Sequence, residues 1–216
     1  MKTPFVLMPL ALLVAAALAC GPSLGGSPAL YKDNFSDSGS GWCVDSSANS
    51  SLAYLGGEYV FKVVRGNWYV WCNPSQNFTD IHVQVTATNM SRTADTFFGV
   101  ICDDTTTADK KTETFYYLGF TAVNTYTITM SKNGKDTVLS EGTSPSITTN
   151  ANSYSVGADC PSNGHLVLYA DNKQIASATD TTLTGGDIGL FAWTGDQAPA
   201  EIHYDDVVVT KLAASK

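Results

Sequence analysis

The chain has 216 residues, with 12 Lys and Arg against 20 Asp and Glu, for a formal net charge of -8. No basic cluster occurs anywhere, which excludes nucleic acid and disfavours strongly anionic polysaccharides, because both need Lys and Arg for contact. The length suffices for one domain with a full core.

The N-terminus carries the first signal. Lys2 precedes an apolar run over residues 5–19, and Ala17-Leu18-Ala19-Cys20 follows. The run is too short for a stable bilayer span, which takes about 20 apolar residues. Its order of charge, apolar stretch and small-residue site is that of a secretory signal. A cysteine directly after the site resembles the lipobox of bacterial lipoproteins, in which that cysteine is acylated. The departure is Ala17, where the lipobox usually has Leu. The rival reading is plain Ala-x-Ala cleavage that leaves Cys20 unmodified. The resemblance implies lipidation at Cys20, a membrane-anchored protein of the cell surface or envelope, and a Gly-, Ser- and Pro-rich tether over residues 20–29. Residues 30–212 then form a single domain.

Short alternating runs of Val, Ile, Thr, Tyr and Phe fill that domain, broken by Gly, Asn, Asp and Ser. Strands are predicted at 58–64, 80–87, 96–102, 113–120, 125–131, 137–141, 153–160, 165–170, 174–178, 187–194 and 201–209. In the 80–87 run Ile81, Val83, Val85 and Ala87 share one face. Asn133-Gly134 marks a two-residue hairpin, since both positions tolerate positive φ, and Asp171-Asn172 marks a second. The class is all-β, an antiparallel two-sheet sandwich. After Cys20 four cysteines remain, an even count that in an exported chain predicts two disulfides with three possible pairings. Cys102 and Cys160 end two predicted strands and are expected to meet as neighbours across a sheet. Cys43 and Cys72 follow Trp42 and Trp71 and are expected to form the other bridge.

The two ends of the domain carry a resemblance. It opens with Asn34-Phe35-Ser36-Asp37-Ser38-Gly39-Ser40-Gly41-Trp42. A late hairpin reads Leu168-Tyr169-Ala170-Asp171-Asn172, and the close reads Tyr204-Asp205-Asp206-Val207. In this order they resemble the concanavalin A-like lectin/glucanase superfamily, over most of residues 30–212. The resemblance implies a jelly roll with one concave sheet. Glucanases of that superfamily carry Glu-x-Asp-x-x-Glu, whereas this chain has only Glu58, Glu113, Glu141 and Glu201, none in that motif. Retaining hydrolysis needs two carboxylates about 5 Å apart. The expectation therefore leans away from an enzyme.

Candidate residues follow from that implication. Trp68, Tyr69, Trp71, Tyr116 and Tyr117 offer flat rings that pack on the C–H face of a sugar. In the 67–72 run Trp68 and Val70 share one face, and Tyr69 and Trp71 the other. In the enzymes similar to this chain a structural calcium is held by the closing-strand Asp and two backbone carbonyls. The matching positions here are Asp205, Asn34 and Gly57, an arrangement that would tie both chain ends together. Asp103, Asp104 and Asp109 read as a solvated loop. His82, His165 and His203 show no partner pattern. Four Asn-x-Ser/Thr sequons, at Asn34, Asn49, Asn77 and Asn89, read as chance. The expected function is a non-catalytic, lectin-like module for neutral polysaccharide or glycan on the cell envelope. A glycan hydrolase or lyase with a non-standard carboxylate site and a structural or adhesive protein are the alternatives.

Overall fold

The computed structural model describes residues 28–107 and 112–212. The signal run, Cys20 and Asp109 therefore lie outside the described residues. The strands are β1 (Ala29–Asp33), β2 (Asp45–Ser46), β3 (Ser50–Leu55), β4 (Glu58–Val63), β5 (Trp68–Cys72), β6 (Asn77–Phe78), β7 (Ile81–Asn89) and β8 (Phe97–Asp104). They continue as β9 (Thr114–Thr121), β10 (Thr125–Lys132), β11 (Lys135–Thr143), β12 (Tyr154–Cys160), β13 (His165–Ala170), β14 (Lys173–Thr179), β15 (Gly186–Thr194) and β16 (Ala200–Lys211).

Two antiparallel sheets pack face to face. A nine-stranded sheet runs β14-β13-β12-β7-β16-β4-β3-β2, with β1 also on β16. A seven-stranded sheet runs β11-β10-β9-β8-β15-β5, with β6 also on β15. This is the two-sheet sandwich expected. Short strands at β1, β2 and β6 escape the periodicity reading because two to five residues carry too little alternation to stand out.

Local chemistry sets the turns. Asn133 and Gly134 take φ of 53° and 73° and join β10 to β11. Asp171 and Asn172 take 49° and 62° and join β13 to β14. Both are the positive-φ pairs that a two-residue hairpin requires. In β7 alternate residues from Ile81 to Asn89 are buried, so its register is fixed by one apolar face.

The core lies between the sheets. Phe35, Trp42, Tyr59, Phe61 and Tyr204 pack ring against ring near the chain ends. The Trp42 indole N–H donates to Asp33 Oδ2 at 2.9 Å, which satisfies a buried donor. Cys43 joins Cys72 with Cα atoms 6.0 Å apart, and Cys102 joins Cys160 at 6.3 Å. The second bridge links β8 to β12, so it ties one sheet to the other. The expectation of neighbours within one sheet is corrected: both cysteines point inward from facing sheets.

Tyr204 makes a second cross-sheet tie. Its ring is fully buried on β16. Its hydroxyl donates to the Phe191 carbonyl on β15 and accepts the Gly99 N–H of β8 at 3.2 Å. Tyr204→Phe keeps the ring and strips both contacts. It should lower the free energy of unfolding by about 1–3 kcal/mol, the penalty for buried groups left unpaired. Urea titration checks this, with an unchanged slope expected.

Candidate functional site

The outer face of the seven-stranded sheet is aromatic. Tyr69 and Trp71 project from β5, Phe191 and Trp193 from β15, Phe97 and Ile101 from β8, and Phe115 and Tyr117 from β9. The register sets their contacts. Trp193 stands opposite both Tyr69 and Phe97, and Phe191 opposite Gly99, which faces Gly119. A Cβ on Gly119 would lie 2.7 Å from the Phe191 ring and 2.4 Å from the Phe98 carbonyl oxygen. Gly119 therefore leaves room for the Phe191 ring against the sheet.

A second aromatic layer covers the first. Tyr69, Trp71, Phe97 and Tyr117 pack over Ile101, Phe115 and Phe191, which are buried although they face outward. Tyr69 stacks on Phe115 with planes 15° apart, and Trp71 lies over the same ring with centroids 5.1 Å apart. Phe97 and Trp193 pair at 5.4 Å. Trp193 remains 37% exposed, so it offers a ring face to solvent.

Beside these rings lies a cleft of about 710 Å³. Its floor and one wall are Tyr69, Phe97, Tyr117 and Trp193. The other side is polar, formed by Thr125, Thr127 and Thr129 of β10 and by Asp136 and Glu141 of β11. Thr127 and Thr129 share a hydrogen bond of 2.7 Å between their hydroxyls. The Tyr117 hydroxyl donates to Asp136 Oδ2 at 2.9 Å. The Tyr69 hydroxyl oxygen is buried and has no hydrogen-bond partner. Burial holds both phenols well above their ordinary pKa, with Asp136 adding its charge, so both keep their protons at neutral pH. A volume of this size, mostly apolar with a few convergent polar groups, has the character of a small-molecule or oligomer site.

Of the residues predicted to stack, Tyr69, Trp71 and Tyr117 are on this face, and Tyr69 and Tyr117 line the cleft. Trp68 and Tyr116 are not. Trp68 packs against the core and lies under the Arg65 guanidinium at 4.7 Å. Tyr116 is fully buried, and its hydroxyl donates to Asp180 and accepts the Leu183 N–H. The pairing of Trp68 with Val70 and of Tyr69 with Trp71 holds, and the second pair is the outward one. The β10 threonines, Phe97, Asp136 and Glu141 also line the cleft, and the sequence reading does not single them out. The run Thr125-Tyr126-Thr127-Ile128-Thr129 held the signal, because alternate threonines put hydroxyls on one face of a strand.

The positions matched for calcium meet at another place. β1 and β4 lie along the same edge of β16, one after the other. The gap between them falls at Asp205 and Asp206, where a bulge interrupts the β16–β7 ladder. Asn34 follows β1 and Gly57 precedes β4, so both border that gap. Burial, then Asp206, Glu58 and Asp33, push the Asp205 carboxyl above its ordinary pKa. Among the described residues no group of three or more His, Cys, Asp or Glu is arranged to hold a metal ion.

Two histidines have partners that sequence alone did not reveal. His203 lies between Glu58, at 2.6 Å from Nδ1, and Glu201, at 2.7 Å from Nε2. His82 Nδ1 lies 2.7 Å from Asp159, whose other oxygen accepts the Tyr169 hydroxyl. Both sets decorate the outer face of the nine-stranded sheet.

No protein-family profile and no curated protein matches the chain. Solved structures do match it. One is the carbohydrate-binding module CBM66 from Bacillus subtilis, at a TM-score of 0.62 and 18% identity over 80% of this chain and 96% of that one. Another is a β-glucanase from Bacillus licheniformis, at 0.62 and 15% identity over 88% and 100%. A third is a protein of unknown function with a galectin-like fold from Bacillus subtilis, at 0.67 and 14% over 86% and 97%. All are concanavalin A-like jelly rolls, and this chain has that fold.

The sequence places Asp103 in a solvated loop, and the structure corrects this. Asp103 is 3% exposed at the end of β8, and its Oδ2 has no hydrogen-bond partner. Burial, then the charge of Asp80, push its pKa up to about 7. A folded pKa above the unfolded value means stability that is full below the ordinary carboxyl range. That stability is lost as pH rises through about 7. Asp103→Asn should therefore raise the melting temperature at pH well above neutral and leave it nearly unchanged in acid. Thermal scans at the two pH extremes check this.

Proposed function

We propose that this protein is a non-catalytic glycan-binding module of the cell envelope, anchored through a lipidated Cys20. The observation that carries the reading is the cleft that sets aromatic rings against a row of threonine hydroxyls. Sugar rings present C–H faces to aromatics and hydroxyls at their edges, and the two sides of the cleft match those two surfaces. The two disulfides fit a chain that matures outside the reducing cytosol. The carbohydrate-binding and glycan-acting proteins among the structural neighbours support the same class of ligand.

Binding without turnover is favoured by the placement of the carboxylates. Among the described residues, Asp136 and Glu141 are the only acidic ones lining the cleft. Their ladder partners on β10, Ser131 and Thr127, are four residues apart. At about 3.4 Å of rise per residue that separates the backbones by roughly 14 Å. Retaining and inverting hydrolysis use carboxyl pairs about 5 and 6.5–9.5 Å apart.

A glycan array followed by titration of the hits tests the binding. Trp193→Ala removes a half-exposed ring and should weaken binding about three- to tenfold, the scale of one aromatic contact, with the fold intact. Release of reducing sugar from any bound glycan, abolished by Asp136→Asn or Glu141→Gln, would overturn the non-catalytic reading. Failure of every glycan to bind would leave a structural or adhesive role.

The same proposal includes a structural calcium ion at the β16 gap, held by Asp205 and the carbonyls of Asn34 and Gly57. The charges of Asp206, Glu58 and Asp33 act on the Asp205 carboxyl, and a divalent ion at the gap would offset them. Its role is to close the sandwich where both chain ends meet. Calcium at a hundredfold excess over its dissociation constant should stabilise the fold by about 2.7 kcal/mol. Chelator should lower the melting temperature of the wild type and leave Asp205→Ala unmoved.

A further inference from the structure

We infer that the cleft takes a glycan with free, protonated amino groups, that is, a de-N-acetylated amino-sugar chain. The inference rests on the glycan reading above and narrows it. Its basis is the charge of the lining. Asp136 and Glu141 both line the cleft, and among the described residues no Lys, Arg or His does. Four aromatic side chains, Tyr69, Phe97, Tyr117 and Trp193, line the same pocket. An ammonium group is attracted both to ring faces and to carboxylates, and this is the combination that aromatic cages use for amines.

The basic residues of the same hairpin are kept elsewhere. Lys132 and Lys135 face one another at the tip of the β10–β11 hairpin, outside the cleft lining. Solubility of an edge strand would be served by either sign of charge. Sorting the negative charges into the cleft and the positive ones to the tip is what a cationic ligand requires. A neutral sugar would cover the two carboxylates and leave their charge uncompensated, which is unfavourable once water is displaced. An ammonium has three N–H donors, and because Asp136 and Glu141 stand far apart along β11 each takes a separate amine of the chain, Asp136 next to Tyr117 and Glu141 opposite Thr127.

The test uses two probes of one length, a β-1,4-linked N-acetylglucosamine hexamer and its fully de-N-acetylated counterpart. Calorimetric titration at mildly acidic pH keeps the amines protonated. The de-N-acetylated hexamer should bind about tenfold more tightly, the combined scale of a cation–π contact and a solvent-screened ion pair. Added salt should shrink that advantage. In the double variant Asp136→Asn, Glu141→Gln the ratio of the two affinities should fall toward one, with circular dichroism confirming the fold. Equal or tighter binding of the acetylated hexamer would overturn the inference and leave the glycan reading standing. A preference that persists in the double variant would overturn it too, by placing amine recognition elsewhere. Absence of binding by either probe rejects the amino-sugar assignment, and an array without hits then removes the broader glycan reading as well.

Discussion

The Tyr204 hydroxyl is the constraint on which the rest of the sandwich turns. Facing sheets lie about 10 Å apart, a distance that side chains fill but seldom bridge with polar groups. Tyr204 bridges it from β16 and meets two backbone groups on adjacent strands, the Phe191 carbonyl and the Gly99 amide. On the far side of the sheet the Phe191 ring packs against Tyr69 and Tyr117, two of the rings that line the cleft. Gly99 faces Gly119, and the Phe191 ring lies over that pair. One buried phenol thus fixes the backbone from which the outer aromatic layer rises. Packing inside and the outer aromatic layer are set at the same two peptide units.

The two outer faces differ in how completely their polar groups are satisfied. On the nine-stranded sheet His203 is held between two glutamates, His82 and Tyr169 share Asp159, and Gln84 donates to Ser155. These groups answer one another across the ladder and leave a face with little to offer a partner. On the seven-stranded sheet a buried Tyr69 hydroxyl lacks a partner, and Trp193 lies half in solvent. Layered rings there cover one another without being covered themselves. That asymmetry, more than the fold, directs the functional reading to one face, since a sandwich of this kind hosts many roles.

The sequence was most readable where one face alone is buried. β7 alternates without a fault, and the paired positive-φ residues at Asn133-Gly134 and Asp171-Asn172 mark their hairpins by backbone chemistry alone. Legibility failed where both faces are apolar. Phe115-Tyr116-Tyr117 carries aromatics at three successive positions, so alternation divides them into two sets but does not say which is inward. The same holds for Trp68-Tyr69-Val70-Trp71. Only the facing sheet decides, by placing Asp180 and Leu183 within reach of Tyr116 and leaving Tyr117 to Asp136. Partners far apart in the chain were likewise hidden. His82 and Asp159 are 77 residues apart and meet only because β12 pairs with β7. Asp103 read as loop because charged residues at a strand end usually face water, whereas here a bulge between β8 and β15 turns the chain and leaves the carboxyl covered.

The polar side of the cleft is rigid for a reason that lies in the ladder. Thr125, Thr127 and Thr129 sit on β10, which is paired on both sides, by β9 and by β11. Their β-branched side chains have restricted rotamers, and Thr127 and Thr129 also fix each other. The rings opposite are held by the Phe115 and Phe191 layer beneath them. A ligand entering the cleft therefore orders few side chains, and the entropy of ordering is a large part of what weak binding sites lose. The edge strand β11 is the exception. It has a neighbour on one side only, carries a bulge opposite Ile128 and Thr129, and presents exposed Asp136 and Glu141. The charged groups thus stand on the most adaptable element of the cleft, and the aromatic and hydroxyl groups on the least. On the proposed reading, the rigid elements set the shape a bound chain must match, and the edge strand the charge it meets.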